Sequence, residues 1–146
     1  MSEDRNDEET VRKFLADLKI LEGTANIIQS RLNVVNAALT DIATANLSIK
    51  GIENNESGLE ILVPVGGGSF IRAKLSDVEK IIMGVGSGVH IEKTIVESLE
   101  DLKNRQADLE KARTSLEQQL TQTLNNINMR RGQISEILKK REVNAN

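Results

Sequence analysis

Few residues of this sequence have the type and spacing that chemistry would need. His90 is the only histidine and there is no cysteine, so no second imidazole and no thiolate can join it as a metal ligand. The carboxylate pairs Glu8/Glu9 and Glu100/Asp101 are adjacent in the sequence, and adjacent side chains on a helix point in different directions. No nucleophile is accompanied by a base and an orienting group. The sequence therefore predicts no metal, no cofactor and no catalytic residue, and the protein is not expected to be an enzyme.

Two glycine clusters, residues 66–69 (GGGS) and 84–88 (GVGSG), could suggest a phosphate-binding loop. The second cluster departs from G-x-G-x-x-G because Val89 stands at the last glycine position, and neither cluster ends in the Gly-Lys-Ser/Thr of a P-loop. Both lie between strand-like segments and do not open a helix. We therefore interpret them as turns, which disfavours a nucleotide-dependent enzyme.

Residues 7–46 carry a continuous apolar seam. Apolar side chains recur at alternating spacings of three and four residues, and the positions between them are mostly polar, which predicts a helix in a coiled coil. The seam consists of Val11, Phe14, Leu18, Leu21, Ala25, Ile28, Leu32, Val35, Leu39 and Ile42. A coiled-coil arm has little interior, so we expect function to lie in what it contacts or assembles with.

The middle of the chain changes to a β-rich pattern. Two hairpins with glycine turns are predicted, and their strands cover residues 59–65, 70–75, 80–85 and 89–93. Pro64 indicates an edge position or a bulge. Four short strands form a marginal sheet on their own, so we expect hairpins of other chains to complete it. The residues predicted to mediate subunit assembly, or alternatively to form an intrachain core, are Ile61, Val63, Phe70, Ile71, Leu75, Ile81, Ile82, Met83, Val89 and Ile91.

Residues 94–141 form the second predicted helix, and its seam is weaker than the first. Four of its seam positions are polar, namely Gln106, Arg113, Thr123 and Arg130. Polar residues at these positions loosen a coiled coil while fixing its register. They either leave the outer half of the arm flexible or mark a local shift of the seam, and the sequence leaves both interpretations open.

The composition favours an elongated helical protein over a compact globule. The chain of 146 residues has two aromatic residues, one proline and 28% charged residues. Two helices of similar length around a hairpin unit predict an antiparallel intrachain coiled coil within a single domain with disordered termini. The net charge of −3 argues against nucleic acid as a partner, and no apolar run approaches the roughly 20 residues of a membrane span. We expect a soluble, cytoplasmic protein.

The paired hairpin motifs resemble the prefoldin family. Residues 62–75 (LVPVGGGSFIRAKL) and 80–93 (KIIMGVGSGVHIEK) are similar to the hairpins of its alpha class, including the V-P step, the following glycines, the G-V-G-x-G turn and the closing E-K. The beta class carries one hairpin. The resemblance covers the chain from near residue 8 to near residue 141. It implies an α+β, mainly α fold, in which a long antiparallel coiled coil is joined by two β-hairpins that assemble into an intersubunit β-barrel.

The same resemblance implies an ATP-independent holdase chaperone. Prefoldin assembles from two alpha and four beta subunits, holds unfolded or nascent polypeptides at its coiled-coil ends, and delivers them to a group II chaperonin in the cytosol. The implied partners are beta-class prefoldin subunits, unfolded client proteins and a group II chaperonin, without nucleic acid or membrane. The alternative is a structural coiled-coil scaffold that joins fixed partners and holds no client.

The expected client-binding residues lie at the helix ends, which an antiparallel pairing would bring together. Apolar side chains surrounded by charge can hold an unfolded chain weakly, and several arms would strengthen that hold through avidity. Ordinary packing within the seam is the alternative role for each of them. These residues are Val11, Phe14, Leu15, Leu18, Ile134, Ile137 and Leu138.

Overall fold

A computed structural model describes Met1–Ala145 and consists of two long helices joined by two β-hairpins. In chain order the elements are α1 (Ser2–Ile52), β1 (Glu60–Gly66), β2 (Ser69–Lys74), β3 (Lys80–Gly86), β4 (Val89–Thr94) and α2 (Ile95–Ala145). Each hairpin is its own two-stranded antiparallel sheet. The mainly helical fold with two hairpins confirms the expected fold class, whereas the barrel between subunits stays a prediction. Among the described helices, none has a stretch that is long and apolar enough to cross a bilayer.

Both helices are longer than the sequence analysis expects. Helix α1 extends beyond residues 7–46 at both ends, and α2 continues past residue 141. Glu3 and Asp4 lie in the first turn of α1, where negative charge interacts favourably with the helix dipole. Asn46 interrupts the apolar seam, but a polar side chain does not break the backbone hydrogen bonds of a helix. The structure describes Ser2 and Ala145 as the outermost helical residues, while the order of the termini in solution stays a prediction.

Local side-chain and turn chemistry fixes the end of α1 and the start of α2. After α1, the chain turns at Asn54, whose φ of 65° is a conformation that asparagine tolerates better than most residues. At the start of α2, the backbone N–H of Glu97 donates to the Thr94 hydroxyl at 3.2 Å, and the N–H of Thr94 donates to the Glu97 carboxylate at 3.3 Å. This reciprocal capping box satisfies two donors that the helix leaves free, so it fixes where the hairpin ends and α2 begins.

The two hairpins share the same turn and the same bulge. The strand register shifts between Pro64 and Gly66 in the first hairpin and between Gly84 and Gly86 in the second. Each turn has two central residues with positive φ, namely Gly67 (58°), Gly68 (73°), Ser87 (52°) and Gly88 (75°). Two such residues form a turn whose twist matches that of the paired strands. Pro64 lies beside a bulge on a two-stranded sheet, as the sequence predicts, because it cannot donate a ladder hydrogen bond.

One compact unit, Ala38–Leu109, contains the hairpins and the helix segments next to them. Its buried apolar core comprises Ile49, Met83, Ile95 and Leu102. Met83 is only 7% exposed, so its side chain belongs to an intrachain core. In the single chain Met83 therefore takes the alternative role of an intrachain core residue, and its part in assembly stays a prediction. Ile81 packs against the same core.

The other compact unit combines Met1–Ala37 with the chain from Glu110 onward. Its buried residues come from both helices and include Ile28, Leu32 and Ile127. Thr123 is buried as well, and its hydroxyl donates to the carbonyl of Gln119 at 2.8 Å. This polar seam residue is therefore satisfied within its own helix and needs no partner from α1.

Candidate functional site

Three ion pairs join the outer parts of α1 and α2 in an antiparallel arrangement. Within the unit formed by Met1–Ala37 and the chain from Glu110 onward, the pairs are Arg131–Glu22 (3.1 Å), Arg130–Asp17 (3.3 Å) and Arg141–Glu8 (3.2 Å). Arg141 lies further along α2 than Arg130 and Arg131, and it pairs with Glu8, which lies earlier on α1 than Asp17 and Glu22. The first turns of α1 and the last turns of α2 consequently lie side by side, as the sequence analysis expects.

We call the seven predicted client-binding residues the helix-end surface, namely Val11, Phe14, Leu15, Leu18, Ile134, Ile137 and Leu138. They fall into two groups by exposure. The seam residues of the set are half-buried between the helices. Leu15 and Leu138 lie beside the seam and are 51% and 48% exposed. The alternative role of seam packing therefore describes the first group in part, while the second group offers apolar surface to the outside.

Arg130 makes the most specific contacts at this end of the helices. Its guanidinium lies over the Phe14 ring, 4.4 Å from the centroid, and pairs with Asp17 at 3.3 Å. It also donates to the side chain of Gln133 at 2.9 Å. A cation over an aromatic face is attracted by the ring quadrupole, so a charged seam position here contributes to packing. In the sequence Arg130 interrupts the seam and begins the basic stretch 130–141, which an antiparallel pairing brings beside the start of α1; its contact with Phe14 was not predicted.

Two shallow cavities adjoin the helix-end surface. The larger, of about 910 Å³, is lined by Ile134 and Leu138 together with charged side chains of both helices. The other, of about 440 Å³, is lined by Ile137 and by Val143. Val143 was missed by the sequence analysis because it lies beyond the expected helix end, and it is 75% exposed. Apolar side chains here alternate with charge, which suits weak contact with an apolar segment of another chain.

The helix-end surface offers apolar side chains for contact with another chain. Within Met1–Ala145 there is no group of three or more histidine, cysteine, aspartate or glutamate residues placed to hold a metal ion. His90, the one histidine, lies exposed on β4, and its ring Nδ1 is 3.3 Å from the carbonyl oxygen of Gly88. The glycine clusters form hairpin turns, as the sequence predicts.

The residues expected to mediate assembly divide into an inner and an outer set. Met83 is buried, and the residues that are half-buried are Ile61, Val63, Leu75 and Ile81. The outer set remains exposed on the hairpins and consists of Phe70, Ile71, Ile82, Val89 and Ile91. Phe70 and Ile82 are the most exposed of these, at 60% and 69%. Exposed aromatic and aliphatic side chains on two-stranded sheets, whose strands are all edges, form a surface suited to association.

Comparison with known proteins identifies the family. The family model for prefoldin subunits matches residues 21–140. The prefoldin subunit alpha of Methanopyrus kandleri is 32% identical over 123 residues, which cover 82% of this chain and 78% of that protein. The prefoldin subunit alpha 1 of Methanocaldococcus jannaschii is 38% identical over 104 residues, which cover 71% of this chain and 70% of that protein.

Solved structures agree with this fold. Filamentous PFD from Methanocaldococcus jannaschii matches with a TM-score of 0.60 at 22% identity, over 82% of this chain and 93% of that one. The prefoldin beta subunit from Thermococcus strain KS-1 matches with a TM-score of 0.58 at 16% identity, over 87% and 90%. Together with the two-hairpin architecture and the alpha-subunit relatives, these findings show that the chain belongs to the prefoldin family of chaperone subunits.

Proposed function

We propose that this chain is the alpha-type subunit of an ATP-independent holdase, which binds unfolded or nascent polypeptides at the helix-end surface and transfers them to a group II chaperonin. Its expected partners are beta-class prefoldin subunits, in a complex of two alpha and four beta chains. Support comes from the family and from its alpha-subunit relatives. Neither ATP nor a metal has a part in this proposal, because binding and release rest on apolar contacts alone.

One observation supports the proposal more strongly than the others. Apolar side chains from the first turns of α1 and the last turns of α2 lie at one end of the helix pair, and Leu15, Leu138 and Val143 are each about half-exposed or more. Contacts of this size are individually weak, but several copies in one assembly would bind one unfolded chain with much higher avidity. Weak, multiple contacts also suit a holdase, because a client must be able to leave.

Assembly is proposed to use the hairpins. The outer set of hairpin residues, including Phe70 and Ile82, remains exposed in the single chain. A small two-stranded sheet has unpaired edges on both sides. Strand addition between subunits would satisfy those edges and bury the outer set in the predicted β-barrel.

The test combines this chain with a beta-class prefoldin subunit and follows light scattering when a chemically denatured protein is diluted into the mixture without nucleotide. We expect suppression of aggregation at a stoichiometric amount of complex. The double variant Leu15→Ser/Leu138→Ser should weaken suppression several-fold, because both side chains lie outside the buried seam and their loss leaves the helix pairing in place. Size-exclusion chromatography of the same samples should show unchanged assembly.

The matched control is Val96→Ser. Val96 is 74% exposed on α2 but lies in the unit that contains the hairpins, so its replacement should change neither suppression nor assembly. A wild-type complex that forms and yet leaves aggregation unchanged would establish the scaffold alternative. An equal loss of suppression in the control would show that general surface hydrophobicity, and not the helix-end surface, holds the client.

A further inference from the structure

Helix α1 carries a second stripe of apolar and small residues, which lies outside the buried seam that packs against α2. Its members follow the same alternating spacings of three and four residues, and we call them the outer seam: Ile20, Gly23, Ile27, Ser30, Val34 and Ala37. All six are exposed. The three large ones, Ile20, Ile27 and Val34, are 68%, 55% and 70% exposed. Such a regular apolar stripe on the outside of a helix pair is a surface without a partner in the single chain.

The spacing of the outer seam fits a helix as its partner. The large residues recur every seven positions, about 10.5 Å apart along the axis, which matches the repeat of a packed helix. A strand would present same-face side chains about 6.8 Å apart. Gly23 and Ser30 stand between the large residues and Ala37 follows the last of them, and a Cβ added at Gly23 would meet nothing within 4 Å. Large side chains alternating with small ones provide knobs and holes for a helix that approaches closely.

Shallow cavities follow the outer seam where it meets α2. A cavity of about 580 Å³ is lined by Ile27, Ser30 and Val34 together with Leu116 of α2. A second, of about 440 Å³, is lined by Ile20 and by Met129 of α2. A helix lying on the outer seam would therefore gain apolar contacts from both helices of the same unit.

The charges beside the outer seam select an acidic partner. Residues one before and four after each large seam residue flank such an interface and set partner choice. Here Lys19 and Arg31 occupy flanking positions, and Arg12 stands one heptad before Lys19. The other four flanking positions are uncharged. Asp17, which precedes the first large seam residue, is already paired with Arg130 at 3.3 Å. In a parallel second copy in register, Lys19 would face Thr24 and Arg31 would face Asn26, so neither cation would gain an ion pair. Glutamates at the matching positions of another helix would form such pairs.

We propose that the outer seam is a docking site for an acidic amphipathic helix of another protein. The partner helix presents apolar residues at heptad spacing over about three heptads and carries glutamate or aspartate on both sides of them. This site goes beyond client holding at the helix ends, because it recognises a defined secondary structure and a charge pattern, and its residues are distinct from the helix-end surface.

The test uses two fluorescein-labelled peptides of 21 residues with leucine at both core positions of each heptad. One carries glutamate at the flanking positions and the other carries lysine. Fluorescence anisotropy with the full-length chain, without any client, should show binding of the glutamate peptide and at least tenfold weaker binding of the lysine peptide. Lys19→Glu/Arg31→Glu should reverse that preference. Equal binding of both peptides would overturn the charge argument and the proposal with it.

Variants of the seam itself separate docking from folding. Ile27→Ser/Val34→Ser should weaken binding of the glutamate peptide about tenfold or more, because two exposed aliphatic knobs are lost. Leu47→Ser removes an equally exposed leucine of α1 outside the outer seam and should change binding less than twofold. A similar loss in both variants would contradict the proposal.

Filling the holes gives a variant that is expected to keep the helix and to test close approach directly. Gly23→Gln/Ser30→Gln replaces two weak helix formers with a strong one, in the open space outside Gly23. The chain should gain helical stability and still bind the glutamate peptide at least fivefold more weakly, since the added side chains block close approach. Unchanged binding would exclude a helix seated in these holes. Self-association of the chain that is lost in Ile27→Ser/Val34→Ser would instead identify a second copy as the occupant and overturn the acidic-helix proposal.

Discussion

Arg130 illustrates how a charged residue can stabilise a seam position that would normally be apolar. Its guanidinium lies 4.4 Å from the centroid of the Phe14 ring and pairs with Asp17 at 3.3 Å. An arginine can contact an aromatic face and a carboxylate at the same time. Its planar guanidinium has N–H donors along its edge and a cationic face that lies over the aromatic ring. The result is one cluster that links α1 and α2 near the helix-end surface.

A double-mutant cycle on Arg130 and Phe14 should detect this cluster. We expect a favourable coupling of about 0.5–1.5 kcal/mol between the two side chains, because the Arg130 side chain is one-third exposed and only partly desolvated. Arg130→Met and Phe14→Leu keep most of the apolar volume and remove the charge and the ring. Urea unfolding of the four proteins gives the coupling energy.

The exposed pair Arg131–Glu22 provides the control cycle. Its side chains are 60% and 46% exposed, and exposed ion pairs contribute about 0.2–1 kcal/mol that high salt screens further. At 1 M NaCl the Arg131–Glu22 coupling should fall toward zero, whereas most of the Arg130–Phe14 coupling should persist. A coupling for Arg130–Phe14 that vanishes with salt in the same way would show that the ring contributes nothing.

At the scale of elements, the hairpins were predicted more closely than the helices, and the reason is local chemistry. Glycine turns and a β-branched pattern fix strand ends, so each predicted strand agrees with the structure within one residue at either end. Helix ends are fixed by caps and turns, and an apolar seam does not indicate where these lie. The chain therefore stays helical past Asn46, and the actual signal for the start of α2 is the Thr94 and Glu97 pair.

The candidate surfaces were predictable as sets but not residue by residue. The sequence placed Met83 among the assembly residues together with the other apolar hairpin residues, whereas in the single chain its side chain lies in the core with Ile49 and Leu102. The sequence of a two-stranded hairpin does not indicate which of its two faces packs against the helices. The burial of Ser98, whose hydroxyl is fully buried without a hydrogen-bond partner among the described residues, was likewise not foreseen.

The hairpins allow a test of assembly that leaves the single chain intact. Phe70→Lys and Ile82→Lys place a charge on side chains that are 60% and 69% exposed in the isolated subunit, so each variant should fold with an unchanged circular dichroism spectrum. Burial of an unpaired lysine in a subunit interface is costly, so assembly with a beta-class subunit should be lost or weakened at least tenfold. Mass photometry of the mixed subunits measures it.

Two control variants accompany this experiment. Val96→Lys makes the same change at an exposed position of α2 outside the hairpins and should leave assembly unchanged. Met83→Lys should instead unfold the subunit, because Met83 lies in the intrachain core. Normal assembly of both Phe70→Lys and Ile82→Lys would rule out the outer hairpin set as the subunit interface.

For the molecule as a whole, the chain divides into two units that are stabilised by different kinds of contact. The unit Ala38–Leu109 buries side chains from helices and hairpins in one apolar core. The unit of Met1–Ala37 and the chain from Glu110 onward consists of helices alone, with Arg113, Thr123 and Arg130 at seam positions of α2. Its interhelical ion pairs are at least partly exposed and therefore contribute little each.

This difference predicts unequal local stability, which hydrogen exchange measures. Amides in residues 7–22 and 128–141 should exchange faster than those in residues 42–50 and 96–106, because fewer buried apolar contacts oppose local opening of the helix pair. Arg113→Leu places an apolar residue at a polar seam position. It should slow exchange in the unit of Met1–Ala37 and the chain from Glu110 onward, and leave exchange in Ala38–Leu109 unchanged. Equal protection of the two units in the wild-type chain would rule out a flexible outer arm and favour a local shift of the seam as the reason for its polar residues.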